Sequence, residues 1–174
     1  MSENKYRSKM EIKYLIMDVD GTLTDGKIYI SACGELFKAF NVKDGYGLKN
    51  LLMSHGVTPI IITGRKSDIL EIRCRELDIL DLHQGISDKA NTLIEILASK
   101  GGQLKECAYI GDDLNDLPCM FLIKDAGGVV ACPSDANKQV LSLADFISSR
   151  AGGDGAVREF IEFLIEKKLV LSPI

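Results

Sequence analysis

Two carboxylates follow an apolar run near the start of the chain. Asp18 and Asp20 lie two residues apart after the run from Ile12 to Met17, and this spacing puts both side chains on one face of an extended chain. Like charges on one face repel each other, and a bound cation relieves the repulsion. Asp112 and Asp113 form a second acidic pair. Because carboxylate oxygens are the ligands that Mg²⁺ prefers, these aspartates predict a magnesium site.

Other residues supply positive charge and hydrogen-bond donors. Lys89 can provide a fixed charge, and the Thr63 hydroxyl and the Gly64 amide can donate to an oxyanion. Such groups stabilise the charge that develops on a phosphoryl group. Asp116 is interpreted either as a cap of the helix that it precedes or as the residue that orients Lys89.

The combination predicts phosphoryl transfer to a carboxylate. A carboxylate that attacks a phosphate meets a repulsion of roughly 4 kcal/mol for two unit charges 4 Å apart at an effective dielectric constant of 20. Mg²⁺ and Lys89 would offset this repulsion. Asp18 is the predicted nucleophile, which forms an aspartyl-phosphate. Asp20 is the predicted acid and base, which protonates the leaving alcohol and later activates water.

The elements that must position these residues alternate along the chain. We predict strands at 12–18, 57–62, 80–83, 107–110, 129–131 and 145–147, and helices around 48–52, 67–77, 90–98, 115–118 and 157–165. This alternation indicates an α/β fold with a doubly wound, Rossmann-like parallel sheet. Ligands in such sheets bind at the carboxyl ends of the strands. Asp18, Thr63 and Asp112 each follow or end a predicted strand, so we expect them to meet.

Composition indicates the broad class of protein. The chain has 174 residues, of which 46% are hydrophobic, and a net charge of −4. We expect one domain over 1–174, with a polar leader at 1–11, and no nucleic-acid partner, because such binders carry a basic surface. No apolar run is long enough to cross a membrane. The start lacks a secretory signal and the five cysteines are scattered, which predicts reduced thiols and a cytoplasmic location.

Four segments resemble the motifs of the haloacid dehalogenase superfamily, whose members transfer phosphate through an aspartate nucleophile. They are, in order, Asp18-Val19-Asp20-Gly21-Thr22, Thr63-Gly64, Lys89 and Gly111-Asp112-Asp113-Leu114-Asn115-Asp116. A wider similarity covers nearly the whole chain and is to the family of 3-deoxy-D-manno-octulosonate 8-phosphate phosphatases. It is carried by TDGKIYIS at 24–31, NVKDG at 41–45, TGRKSDILEIRC at 63–74, QG before Lys89, and AGGDGAVREF at 151–160.

This resemblance implies a substrate and a set of site residues. The implied reaction releases phosphate from an eight-carbon keto-sugar acid phosphate, before the sugar is activated for lipopolysaccharide. Mg²⁺ would be held by Asp18, the Asp20 backbone carbonyl and Asp112, with Asp113 and Asp116 next to these ligands. The implied substrate-binding residues are Asp20, Asn41, Val42, Lys43, Asp44, Gly45, Lys49, Thr63, Gly64, Arg65, Arg73 and Lys89.

The spacing of the motifs leaves no room for a lid. Neither the interval from Asp20 to Thr63 nor that from Thr63 to Lys89 can hold a cap domain of usual size. An apolar β-hairpin predicted at 27–40 is too hydrophobic to project alone into solvent, so we expect it to form an oligomer interface, and the resemblance implies a homotetramer. The Gly-rich tail and C-terminal helix at 150–174 have two interpretations. They are either a mobile tail that carries Arg158 to an active site, its own or a neighbour's, or a loop that leads into a terminal helix with Arg158 in solvent.

Three other functions fit parts of the pattern. The nearest is a phosphatase for a nine-carbon, sialic-acid-type 9-phosphate. A basic Arg65 suits a paired contact with a substrate carboxylate, whereas the relatives that act on nine-carbon acids tend to have Glu at this position, which favours the eight-carbon acid. A phospho-receiver domain would have its acceptor aspartate where this chain has Thr63. A non-catalytic oligomerisation module would not need the complete set of motifs.

Overall fold

A six-stranded parallel sheet forms the centre of the molecule. The structure is a computed structural model that describes residues 11–173; the predicted leader at 1–11 lies almost entirely outside this range. The strands of the sheet, β1 and β4 to β8, are Tyr14–Met17, Thr58–Thr63, Asp81–Gln84, Cys107–Ile110, Val129–Cys132 and Phe146–Ile147. Their order across the sheet is β5-β4-β1-β6-β7-β8. The predicted α/β fold with a doubly wound parallel sheet is confirmed.

Helices cover both faces of the sheet. They are α1 (Val42–Tyr46), α2 (Asp68–Glu76), α3 (Lys89–Lys100), α4 (Leu117–Asp125), α5 (Lys138–Leu143) and α6 (Ala156–Glu166). Alternate residues of a strand point to opposite faces, so β1 contributes to two cores. Leu15 and Met17 pack with Phe160 of α6, whereas Ile16 packs with Leu93 of α3 on the other face.

Two helical segments differ from the sequence prediction. The helix expected around 48–52 begins earlier, as α1, and continues through a π-helical turn at Gly47–Leu52 and a 3₁₀ turn at Met53–His55. Gly56 ends it at φ 73°, a left-handed conformation in which glycine commonly closes a helix. Helix α5 was not predicted, because its six residues are too few to show a helical period.

The predicted hairpin is present beside the sheet. Strands β2 (Tyr29–Ser31) and β3 (Gly34–Phe37) pair antiparallel. The rings of Tyr29 and Phe37 stack with centroids 4.3 Å apart, and Ile30 and Leu36 are 67% and 58% exposed. The hairpin therefore presents apolar side chains outwards, and no cap domain stands between the motifs.

None of the helices within residues 11–173 combines the length and the apolar character that a membrane span requires.

Candidate active site

Three strand ends meet at the carboxyl edge of the sheet. Strand β1 lies between β4 and β6, so the residues that follow β1 and β6, and the last residue of β4, are neighbours. They border an open pocket of about 400 Å³. The pocket is lined by Asp18, Asp20, Thr63, Gly64, Arg65, Asp112, Asp113, Leu114 and Asn115. The topology thus brings the acidic pairs and Thr63 together, as the alternation of strands and helices predicts.

Lys89 lies under this pocket and joins two carboxylates. Its Nζ donates to Asp18 Oδ1 at 2.7 Å and to Asp116 Oδ1 at 2.8 Å. Its side chain is only 3% exposed, at the first position of α3, where Asp88 caps the helix. Burial alone lowers the pKa of Lys89, but the charges of Asp116 and Asp18 more than offset this and raise it. Lys89 is therefore a permanent cation against one oxygen of Asp18.

Asp116 is fully buried, and both its carboxylate oxygens accept hydrogen bonds. The Tyr109 hydroxyl donates to Oδ1 at 2.7 Å, and the backbone N–H groups of Asp112 and Asp113 donate to Oδ2 at 2.9 and 3.2 Å. Of the two interpretations of Asp116, the contact with Lys89 is present, whereas its side chain makes no capping bond to the helix that follows. Burial, followed by the charge of Asp116, raises the pKa of Tyr109 well above its ordinary value, so this hydroxyl remains a donor.

Tyr109 is a site residue that sequence reasoning missed. It lies inside the apolar strand β6, and the sequence alone assigns it no role beyond that strand. The available signal was chemical: a tyrosine in a buried strand needs a partner for its hydroxyl, and the acidic segment at 111–116 begins only two residues later.

Asp18 and Asp112 carry unbalanced negative charge. Burial, followed by the charge of Asp116, raises the pKa of Asp18 to about 6. Burial, followed by the charges of Asp18 and Asp116, raises the pKa of Asp112 to about 7. Thr22 donates to Asp112 Oδ1 at 2.9 Å, and Gly21 leaves room for this carboxylate, since a Cβ there would lie 2.1 Å from Asp112 Oδ2. The site therefore favours a compensating cation.

The donor set fits a divalent cation. Carboxylate oxygens of Asp18, Asp112 and Asp116 lie within 4.8 Å of one another, and hard oxygen ligands suit Mg²⁺. Because both oxygens of Asp116 already accept hydrogen bonds, Asp18 and Asp112 are the carboxylates with capacity left for the ion.

Lys38, at the end of the hairpin, contacts Asp20. Its Oδ1 forms a short ion pair with Lys38, which also contacts Glu35 at 3.2 Å. Glu35 in turn lies 3.4 Å from Arg65 and accepts a short hydrogen bond from Ser67. Sequence reasoning missed Glu35 and Lys38 because it treated 27–40 only as an interface.

Several residues that the resemblance assigned to the substrate do not line this pocket. Asn41 accepts from the Lys43 backbone N–H at 2.8 Å and so caps α1. Lys49 contacts the Glu76 carbonyl and the Asp78 carboxylate, each at 2.8 Å. Arg73 contacts Glu76 at 3.1 Å and lies over the Phe40 ring. Val42 and Lys43 are exposed on α1 and do not line this pocket.

Asp44 and Gly45 are buried. Asp44 faces the C-terminal part of the chain, and Gly45 faces α2. Asp44 Oδ1 accepts from the Arg158 backbone N–H at 2.8 Å, at the start of α6. A Cβ on Gly45 would lie 2.4 Å from Arg73 Nη2. These contacts pack α1 against α6 and α2, and the Asn41 side-chain amide donates to the Gly153 carbonyl at 3.3 Å.

The Gly-rich segment at 151–155 packs against its own active-site loop. The Gly153 N–H donates to the Thr22 carbonyl at 3.1 Å, and the Gly152 N–H donates to Asp135 Oδ1 at 2.9 Å. Arg158 bonds Glu162 at 2.7 Å and lies over the Tyr46 ring. In this arrangement Arg158 does not reach the pocket of its own chain, and a contact with a neighbour's site stays a prediction.

Comparison with known proteins agrees with this geometry. Residues 62–161 match the haloacid dehalogenase-like hydrolases. The chain is 42% identical over 154 residues to the 3-deoxy-D-manno-octulosonate 8-phosphate phosphatase of Salmonella typhi, covering 88% of this chain and 79% of that protein.

Solved structures give the same result. The Moraxella catarrhalis phosphatase of this name, in complex with a magnesium ion, a phosphate ion and a KDO molecule, superposes with a TM-score of 0.86 at 37% identity, covering 96% of this chain and 93% of that one. The cobalt-bound Haemophilus influenzae phosphatase superposes with a TM-score of 0.84 at 35% identity, covering 91% and 90% of the two chains. The chain belongs to the haloacid dehalogenase-like hydrolases, in the branch that contains the 3-deoxy-D-manno-octulosonate 8-phosphate phosphatases.

Proposed function

We propose that this protein is a Mg²⁺-dependent phosphatase that converts 3-deoxy-D-manno-octulosonate 8-phosphate into the free keto-sugar acid and phosphate. The observation that carries the proposal is the pair of contacts from buried Lys89 to Asp18 and Asp116, at the edge where Asp112 completes an acidic pocket. The name and sequence of the Salmonella typhi relative support the choice of substrate.

The first half-reaction transfers the phosphoryl group to Asp18. Lys89 is paired with Oδ1 of Asp18, and the Asp18 carboxylate attacks phosphorus. The new Asp18 O–P bond forms as the bond from phosphorus to the 8-oxygen of the sugar breaks. Asp20 gives its proton to that oxygen, so the sugar leaves as a neutral alcohol. Lys89 offsets the charge on the transferring group.

The second half-reaction restores the enzyme. Asp20, now ionised, accepts a proton from a water molecule that attacks phosphorus. The Asp18 O–P bond breaks, inorganic phosphate leaves, and Asp20 is again protonated for the next substrate. The Thr63 hydroxyl and the Gly64 N–H lie at the end of β4 and donate to the phosphoryl oxygens in both halves.

Mg²⁺ is the cofactor of this reaction. We assign it to the carboxylates of Asp18 and Asp112 and to the backbone carbonyl of Asp20, with Asp113 beside them. When bound, the ion neutralises charge on the nucleophile and on the phosphoryl group. The raised pKa values of Asp18 and Asp112 support this assignment, because they report negative charge that the protein itself does not balance.

Arg65 is the residue that we assign to the substrate carboxylate. It is 39% exposed and lines the pocket next to Thr63. A guanidinium can bind a carboxylate through two parallel hydrogen bonds, and both the eight-carbon and the nine-carbon substrates carry one. The name of the Salmonella typhi relative supports the eight-carbon substrate.

We also propose a cytoplasmic homotetramer that supplies sugar acid for lipopolysaccharide. The support for an oligomer is the apolar outer face of the hairpin, with Ile30 67% and Leu36 58% exposed. An assembled hairpin would remove this surface from water and limit the access of solvent to an otherwise uncapped pocket.

Steady-state kcat/KM on a panel of phosphates tests the proposed function. The panel contains the eight-carbon acid 8-phosphate, a nine-carbon acid 9-phosphate and simple alkyl phosphates, each with and without Mg²⁺. We expect the highest kcat/KM on the eight-carbon substrate. Equal values across the panel would refute the specificity, and a stable phosphoprotein without turnover would instead support a receiver domain.

A further inference from the structure

A lysine on the hairpin is buried although its neighbours are not. The Lys38 side chain is 4% exposed, whereas the adjacent Phe37 is 50% exposed. A buried ammonium group is costly unless it is paired. Lys38 has two partners, a short contact with Asp20 Oδ1 and a 3.2 Å contact with Glu35 Oε1.

These contacts form an array of alternating charge that ends in the pocket. Arg65 lies 3.4 Å from Glu35 Oε1, Glu35 contacts Lys38, and Lys38 contacts Asp20. Each charge therefore has a neighbour of opposite sign.

The main body of the protein anchors this array through Ser67. The Ser67 hydroxyl donates to Glu35 Oε2 and also accepts from the Leu70 N–H, which caps α2. Lys38, on the exposed hairpin, is thus also linked to the main body of the protein through Glu35 and Ser67.

We propose that Lys38 is a positioning residue, which holds Asp20 at the angle from which it exchanges a proton with the leaving group and then with water. The proposal rests on the proposed function, because Asp20 is the acid and base of that reaction. Because Lys38 binds Oδ1, Oδ2 is the oxygen that would exchange the proton. The hairpin therefore contributes to catalysis within its own chain, apart from any interface that it forms.

Two substitutions separate charge from shape. Lys38→Met keeps most of the side-chain volume and removes the ammonium group, whereas Lys38→Arg keeps the charge. Lys27→Met is the matched control, since Lys27 is on the same hairpin and its side chain is 73% exposed. We expect Lys38→Met to lower kcat on the sugar phosphate by roughly 10- to 100-fold, with KM within about threefold of wild type. Lys38→Arg should recover part of the loss, and Lys27→Met should behave as wild type.

A second substrate tests the proton-transfer role. The leaving group of p-nitrophenyl phosphate departs as a stable anion and needs no proton. Because kcat/KM reports the steps up to alcohol release, Lys38→Met should lower it much less on p-nitrophenyl phosphate than on an alkyl phosphate. Equal losses on both substrates would contradict the proposal.

A double-mutant cycle decides whether Lys38 acts through Asp20. In an Asp20→Asn background the group that Lys38 positions is already absent, so adding Lys38→Met should cost no further activity. An additional loss equal to that in wild type would show that Lys38 contacts substrate or acts elsewhere, and would overturn the proposal. If Lys38→Met does not fold, the same cycle with Lys38→Arg gives the answer.

Failure of the proposed function has a separate signature. Wild-type protein that does not hydrolyse the eight-carbon phosphate would refute the substrate assignment alone. The Lys38 variants are then compared on any alkyl phosphate that wild type hydrolyses, and unchanged kcat/KM in Lys38→Met would refute the positioning role.

Discussion

Gly152 lies directly against Gly21, so that a Cβ on Gly152 would come within 1.9 Å of the Gly21 carbonyl oxygen. Gly21 belongs to the loop that follows Asp20, and a Cβ on Gly21 would itself lie 2.1 Å from Asp112 Oδ2. The C-terminal segment therefore determines the position of the loop between the acid–base aspartate and the candidate metal ligand.

A methyl group at this contact should reduce activity. We expect Gly152→Ala to lower kcat at least about tenfold, because the backbone of the 21–24 loop has to move and misplaced groups are costly in catalysis. Gly127→Ala is the control: a Cβ there meets nothing within 4 Å, but φ is +92°. This control should lose about 1–2 kcal/mol of stability and keep its kcat. Steady-state kinetics and thermal unfolding of both variants check the difference, and equal kcat values would contradict it.

Removal of the nucleophile should separate activity from folding. Asp18→Asn is expected to lower kcat by roughly 10⁴-fold or more, because the amide cannot attack phosphorus. The protein should still fold, because burial raises the pKa of Asp18 to about 6, which shows that its charge is unfavourable in the folded state, and Lys89 keeps its partner Asp116. The control is Asp25→Asn, a surface change at an ion pair with Lys27. Wild-type turnover in Asp18→Asn would refute the mechanism.

Mg²⁺ should stabilise the folded protein through Asp112. A ligand that binds only the folded state at 100 times its Kd adds about 2.7 kcal/mol, which is measured as a rise in Tm. Asp112→Asn should remove most of that rise. Asp113→Asn should keep it, because Asp113 lies beside the cluster of Asp18, Asp112 and Asp116 but does not belong to it. Equal rises in the two variants would place the ion elsewhere.

The pH dependence of stability should depend on Asp44. Burial raises its pKa from 3.8 to about 6, although the backbone N–H groups of Arg158 and Gly155 oppose the shift. Between these two pH values the folded protein binds a proton that the unfolded chain does not, so this residue's contribution to stability falls as the pH rises from about 4 to about 6 and is constant above that. The total change is at most about 3 kcal/mol.

Urea unfolding at a series of pH values tests this effect. Asp44→Asn has no such titration, and its side-chain carbonyl can still accept from Arg158. The free energy of unfolding of wild type minus that of Asp44→Asn should therefore decrease from pH 4 to pH 6. A difference that does not change with pH would show that Asp44 is not responsible.

The hairpin prediction concerns assembly. Ile30→Asp places a charge on the outer face of β2, where the side chain is 67% exposed, and should convert a tetramer to smaller species in sedimentation experiments. Leu80→Asp makes the same change at a side chain that is 93% exposed on another surface and should leave assembly intact. Fully active wild-type monomers would remove the reason for proposing an interface.

The convergence of the catalytic residues could be predicted because it follows from topology. Asp18, Thr63 and Asp112 are each preceded by a short, strongly apolar strand, and parallel strands deliver their ends to one edge. The contact of Lys89 with Asp18 needs only one further assumption, that α3 starts at the same edge. The fold and the centre of the site were therefore accessible from residue types and spacing.

The supporting contacts could not be predicted in the same way. Glu35 and Lys38 reach the site only because the hairpin folds back over Asp20, and no local pattern fixes that direction. The resemblance assigned Asp44 to the substrate, yet it binds the start of α6, which is 114 residues away. Such contacts depend on how distant elements pack, which single-chain periodicity does not encode.

The position of β1 has a consequence for how the site responds to heat. Both edges of this strand are hydrogen-bonded, to β4 and to β6, and the Asp18 N–H continues the second ladder to the Ile110 carbonyl at 3.2 Å. Asp18 therefore cannot be displaced unless the central strands of the sheet separate. The proton donor Asp20, in contrast, is held by Lys38 of the exposed hairpin. Local unfolding of a two-stranded hairpin takes far less free energy than opening the sheet. Warming should therefore weaken proton transfer well before it disturbs the nucleophile.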